Sequence, residues 1–128
     1  MKTRSIEGET CSVLVVEDDP SIRRALERAF RSAGITAEFA ISLNEGHAKL
    51  NGHRVVILDL QLPDGWGTTL LQKIRQEARP IRVAIYSGLL DAQAIVEACG
   101  ERPDALFHKP LDFEQLLTWL TESGVSPN

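Results

Sequence analysis

The chain has 128 residues, of which 43% are hydrophobic and 25% charged, and 14 Lys plus Arg against 18 Asp plus Glu give a net charge of −4. These proportions fit one globular domain and exclude a disordered or low-complexity chain. A mildly acidic chain without a basic block is a poor partner for nucleic acid, and no apolar run approaches the roughly 20 residues of a membrane span. The opening MKTRSIEGET lacks the apolar core of a signal peptide, and Cys11 and Cys99 form no disulfide framework. The expected location is the cytoplasm.

Residues 1–10 are polar and read as a flexible N-terminal segment. Val13-Leu14-Val15-Val16 is short, β-branched and apolar, which predicts a strand buried on both faces. Asp19 and Pro20 are the preferred cap and first residue of a helix. Ile22, Leu26, Ala29 and Ala33 share one side of it, and Gly34 supplies the stop. Ile35 to Ala40 is a weak strand candidate. Ser42 and Glu45 form a capping box that opens a short helix ending near Gly52.

Val55-Val56-Ile57-Leu58 is a second fully apolar strand, ending at Asp59. Leu70, Leu71 and Ile74 lie on a helix that stops before Pro80. Ile81 to Tyr86 is a fourth strand, and Ala92, Ile95, Val96 and Cys99 form a helical stripe closed by Gly100. Ala105-Leu106-Phe107 is a fifth strand, and Asp112 caps a last helix carrying Phe113, Leu116, Leu117 and Leu120 on one side. Strands that alternate with helices and are continuously apolar imply a parallel sheet covered on both faces. With right-handed crossovers, the expected fold is α/β: a flavodoxin-like, doubly wound, five-stranded sheet of order 2-1-3-4-5 with five helices. The domain is expected over 11–122, with 123–128 as a tail.

Ligands of such sheets bind beyond the carboxyl ends of the strands. Glu17, Asp18 and Asp19 follow strand one, Asp59 ends strand three, Ser87 follows strand four and Lys109 follows strand five. Carboxylates gathered at one rim repel each other unless a cation joins them. Oxygen donors without His or Cys suit a hard ion, and few ligands favour Mg²⁺ over Ca²⁺. Acids, a metal, a lysine and a hydroxyl together describe a site for a phosphoryl group on an aspartate.

VLVVEDDP, VVILDLQLPDG, YSG and HKP, in this order at four strand ends, resemble the receiver domain of two-component response regulators. The resemblance runs from about Ser12 to Leu120. It implies Asp59 as phospho-acceptor, Asp18 as a direct Mg²⁺ ligand, Glu17 as a ligand through water and the backbone carbonyl of Gln61 as a further ligand. It implies Ser87 and Lys109 as contacts of the phosphoryl group, and a cis Lys109–Pro110 bond. Pro63 and Gly67 match the loop after strand three. The phosphoryl donor would be a sensor histidine kinase or a histidine phosphotransfer protein, or a small donor such as acetyl phosphate. Such a domain is no turnover enzyme; it catalyses only its own phosphorylation and dephosphorylation. The last two helices would form the surface for a downstream protein or a homodimer, with no direct contact to nucleic acid or membrane.

The chain departs from the family's pattern at Leu106, at Leu89 and Gln61, and at Trp66. Leu106 stands where receivers carry Tyr, Phe or His, with Phe107 next to it. Leu89 and Gln61 occupy positions that tend to govern phosphate lifetime, and Trp66 fills a loop position more often small or polar. One alternative is a receiver fragment of a larger DNA-binding regulator or hybrid kinase. Another, an aspartate-nucleophile phosphatase of the haloacid-dehalogenase type, needs a second acid where Gln61 stands. His47, His53 and His108 read as surface residues, Cys99 as a small core residue, and Trp119 as either packing at the core's edge or marking a partner surface.

Overall fold

The computed structural model describes residues 13–126; segment 1–10 and Cys11 lie outside the described residues. The apolar runs form one five-stranded sheet of β1 (Val13–Val16), β2 (Ala37–Ala40), β3 (Val55–Asp59), β4 (Arg82–Ser87) and β5 (Ala105–His108), ordered β2-β1-β3-β4-β5. Every neighbouring pair is parallel. Five helices connect or follow the strands: α1 (Pro20–Ser32), α2 (Leu43–Ala48), α3 (Gly67–Gln76), α4 (Ala92–Ala98) and α5 (Phe113–Glu122). This is the doubly wound fold that the alternation implies. Among the described residues, no helix is long and apolar enough to cross a membrane.

Strand alternation divides the core in two. Val13, Val15, Val55, Ile57, Ala84 and Tyr86 pack against Leu26 and Phe30 of α1 and Leu116 and Leu120 of α5. Leu14, Val16, Val56, Leu58, Val83 and Ile85 pack on the opposite face against α3 and α4. All four residues of β1 are fully buried, which is why its sequence shows no polar alternation. Trp119 is 8% exposed at the edge of this core, edge-on to Phe107 with centroids 6.2 Å apart. The α1/α5 side continues past Glu122, since Val125 is buried against it.

Several local details differ from the sequence reading. β2 begins at Ala37, not Ile35, because the Ile35 amide is used elsewhere. It donates to Phe30 O at 2.9 Å while Gly34 (φ 74°) donates to Arg31 O, a Schellman closure of α1. α2 ends at Ala48 rather than near Gly52, and the chain then turns so that Leu50 enters the core. The capping box is half formed. Ser42 Oγ accepts from the Glu45 amide at 3.1 Å, but the Glu45 carboxylate accepts from Ile41. The remaining free amides of α2, on Leu43 and Asn44, donate at 2.8 and 3.0 Å to the carboxylate of Asp64 in the loop after β3.

His53 is not a surface residue. It is buried, with Nε2 3.1 Å from Glu38 Oε1, close enough for a charge contact but not aligned as a hydrogen bond. His47 is half-buried and meets Glu77 at 2.8 Å. Cys99 is half-buried at the core's margin, as its place on the α4 stripe implies.

The loop between β3 and α3 is itself structured as a small antiparallel hairpin, Gln61–Leu62 with Gly65–Trp66. It folds tightly back on β3. Gly67 donates its amide to Leu60 O at 2.7 Å, and a Cβ there would lie 2.4 Å from the Asp59 carbonyl oxygen. Gly67 is therefore required by close approach, not by backbone dihedral. Gly67→Ala is expected to cost about 1–3 kcal/mol of stability, the range of an overpacked interior, in a urea unfolding titration. Gly52→Ala, with nothing within 4 Å but a φ of +87°, should cost about 1 kcal/mol through backbone strain alone. Equal stability of Gly67→Ala and the parent would contradict this reading of the loop.

Candidate functional site

The register of the parallel sheet places the polar residues. Val16 pairs with Leu58, so Glu17 and Asp59 stand side by side one step further on. Asp59 pairs with Tyr86, and Ser87 with His108, which puts Lys109 just beyond the Ser87 pair. Side-chain oxygens of Glu17, Asp18 and Asp59 come within 4.8 Å of one another. Glu17 and Asp59 are 1% and 5% exposed, whereas Asp18 faces solvent. Three carboxylates at this spacing repel, more strongly where burial removes the screening water. Asp19 stands apart from them. Its Oδ1 accepts from the Ser21 and Ile22 amides and caps α1, the role its sequence position indicates.

Among the described residues, one ammonium faces this charge. Lys109 Nζ is 3.1 Å from Asp59 Oδ2 and 3.6 Å from Glu17 Oε1. Burial would lower the Lys109 pKa, but the hydrogen bond and charge of Asp59, reinforced by Glu17, outweigh it and hold the ammonium above its ordinary value. The Lys109–Pro110 peptide is cis, as the resemblance implies. Arg23 is a further cation nearby, and its Nη1 donates to the backbone oxygens of Glu17 (3.1 Å) and Asp18 (2.7 Å). It fixes the acidic loop without pairing with its carboxylates.

The remaining contacts are neutral donors. The Gln61 amide donates to Asp59 Oδ1 at 3.1 Å, and the Asp19 amide to Glu17 Oε2 at 3.0 Å. The contact Gln61 makes with Asp59 is thus through its N–H. The Tyr86 hydroxyl donates to Glu17 Oε1. Burial first, then the charge of Glu17, push the Tyr86 phenol far above its ordinary pKa, so it acts only as a neutral donor. Sequence reading missed Tyr86, because an aromatic inside an apolar strand reads as core; the available signal was its place directly before Ser87.

Ser87 is 1% exposed, and its Oγ accepts from the Leu89 amide at 3.0 Å. That bond joins the strand end to the loop Gly88–Asp91, where Leu90 is fully exposed. Leu106 and Phe107 project to opposite faces of β5. Leu106 joins Leu89 and Val96 on the α4 side, and Phe107 joins Trp119 on the α5 side. Phe107 therefore cannot stand in for an aromatic at 106; a strand's alternation forbids it. Trp66 is 45% exposed on the hairpin.

The donor set fits a hard divalent ion: it consists of carboxylate oxygens, three of them convergent, with no His or Cys among them.

Known proteins share this fold. Residues 13–121 match the family described as the response regulator receiver domain. The acid tolerance regulatory protein ActR of Rhizobium meliloti is 30% identical over 117 residues, 90% of this chain and 60% of ActR. The DNA-binding transcriptional regulator NtrC of Salmonella typhimurium is 34% identical over 116 residues, 89% of this chain but 24% of NtrC. The chain thus spans less than two thirds of the length of these curated relatives. Among solved structures, a CheY-like receiver domain protein from Methanospirillum hungatei is 28% identical with a TM-score of 0.76, covering 88% of this chain and 92% of that one. A two-component response regulator from Clostridium difficile, 24% identical, shares the fold with a TM-score of 0.79 over 89% of this chain and 95% of that one. With a complete sheet, the acids, hydroxyl and lysine at one rim, and the family match over nearly its full length, the chain belongs to the receiver domains of two-component response regulators.

Proposed function

We propose that Asp59 accepts a phosphoryl group from the phosphohistidine of a sensor histidine kinase or phosphotransfer protein. The observation that carries this reading is the placement of Asp59, nearly buried at the end of β3, with Lys109 3.1 Å from one carboxylate oxygen and two further acids converging on it. An Asp59 oxygen attacks phosphorus, the P–N bond to the donor imidazole breaks, and the electron pair leaves with that nitrogen. The product is an acyl phosphate on Asp59.

Glu17, Asp18 and Asp59, with the backbone carbonyl of Gln61, would hold Mg²⁺. Bound there, the ion would supply positive charge to the phosphoryl oxygens, the main requirement of phosphoryl transfer. Lys109, resting on Asp59 Oδ2 in the free protein, is placed to follow the negative charge onto the phosphoryl group. Ser87 would turn its hydroxyl proton to the same group. Its present bond from the Leu89 amide is then the contact that changes, and Leu89 packs with Leu106 against α4. That gives a path from site to surface without a rotating aromatic. The output surface we assign to α4, β5 and α5, for a downstream protein or a second copy; contact with nucleic acid would fall to other parts of a longer regulator. A phosphatase reading lacks its second acid, since position 61 carries a glutamine.

Incubation with Mg²⁺ and acetyl phosphate should add one phosphoryl group by intact mass, and chelation or Asp59→Asn should abolish it. Lys109→Ala should slow formation by about a hundredfold, the effect of losing one preorganised charge. An adduct that persists in Asp59→Asn would contradict the assignment. A second test concerns the raised pKa of Lys109. A raised folded value means that the stability Lys109 contributes is full below lysine's ordinary pKa and is lost only as pH rises through the raised one. In metal-free protein, the Lys109 Cε resonance should titrate later than a free lysine, and Asp59→Asn should bring it earlier. No change in Asp59→Asn would show that Asp59 is not its dominant partner.

A further inference from the structure

Tyr86 is the chain's only tyrosine, and no phosphoryl-transfer role above uses it. It is 1% exposed on β4, opposite Asp59 in register, with its ring in the α1/α5 core beside Leu26 and Phe30. A phenylalanine would fill this place without burying a polar atom, which is costly unless that atom is paired. The hydroxyl is paired, with Glu17 Oε1. The same ring lies under Lys109, whose Nζ is 4.9 Å from the ring centroid. Tyr86 thus touches both the acidic and the basic side of the site.

The geometry around Glu17 gives this contact a consequence. Oε2 is held by the Asp19 amide at 3.0 Å, and Oε1 by Tyr86. Lys109 Nζ stands 3.6 Å from that same Oε1, beyond a good hydrogen bond, and 3.1 Å from Asp59 Oδ2. A neutral donor fixes a carboxylate without cancelling its charge, whereas an ammonium at contact would neutralise it. Without the hydroxyl, the contact of Oε1 among the described residues is the Lys109 ammonium at 3.6 Å, and closing that gap would draw the ammonium off Asp59.

We propose that Tyr86 is a positioning residue whose hydroxyl holds Glu17 off Lys109, keeping the charge of Glu17 free for a divalent cation and Lys109 on the phospho-acceptor. This rests on the metal-dependent reading above. It adds a residue through which this chain sets the balance between cation affinity and the lysine's position.

The test is calorimetric titration with MgCl₂ without any phosphoryl donor. Tyr86→Phe should weaken Mg²⁺ roughly three- to tenfold, the effect of losing one supporting hydrogen bond. In a Lys109→Met background the same change should have little effect, because no ammonium remains to collapse onto Glu17. Unchanged affinity in Tyr86→Phe, or an equal loss in both backgrounds, would overturn the proposal. If Tyr86→Phe does not fold, the single tyrosine permits a test on the unaltered protein. Its hydroxyl-sensitive Raman doublet should shift on Mg²⁺ addition, with the affinity seen by calorimetry, and an unmoved doublet would overturn the proposal. Absence of saturable Mg²⁺ binding by the unaltered protein is a different result, and it would sink the underlying metal-dependent reading.

Discussion

Three carboxylates share a space 4.8 Å across at the end of a buried sheet, and among the described residues one ammonium, that of Lys109, contacts two of them. That imbalance is the constraint on which the site depends. The fold creates it by register: parallel pairing sets Glu17 beside Asp59, and no residue can slip along the sheet without moving an entire buried strand. A protein selected for stability alone would have no reason to leave negative charge uncompensated on two buried carboxylates. Here the deficit of positive charge is what a divalent cation would fill, and that cation together with Lys109 would offset the charge of an incoming phosphoryl group.

Around the imbalance, neutral donors do most of the holding. Amides of Gln61 and Asp19 and the hydroxyl of Tyr86 each fix one carboxylate oxygen, while Arg23 is diverted to backbone carbonyls. The acids are kept in place yet stay charged. Among the described residues Lys109 carries the countercharge, and its two distances place it on Asp59 more than on Glu17. The loops that set these contacts are tied down from outside the site. Asp64 caps α2 across the sheet edge, and Gly67 lets the hairpin fold onto the Asp59 carbonyl.

The site's charged residues were legible because each follows a short apolar run, and a parallel sheet delivers strand ends to one rim. The sheet order followed from the same alternation. What the residues did not announce are contacts made across long sequence distances. Asp64 reads as a turn former, yet it caps a helix that begins 21 residues earlier. His53 reads as polar surface, yet it lies buried beside Glu38 of a neighbouring strand. Tyr86 reads as core, and its ring is core; only its hydroxyl belongs to the site. Leu106 and Phe107 were visible as a departure from the family, but alternation along β5 was needed to see that one cannot replace the other.

An acyl phosphate is reduced by borohydride to the alcohol, so a phosphorylated aspartate becomes homoserine. Reduction of the protein after treatment with acetyl phosphate and Mg²⁺, followed by peptide mass mapping, locates the acceptor directly. Homoserine at position 59 and at no other carboxylate is the expected result. Homoserine at Asp18 or elsewhere, or none at all in protein that carries a phosphoryl adduct, would contradict the assignment of Asp59 as the acceptor.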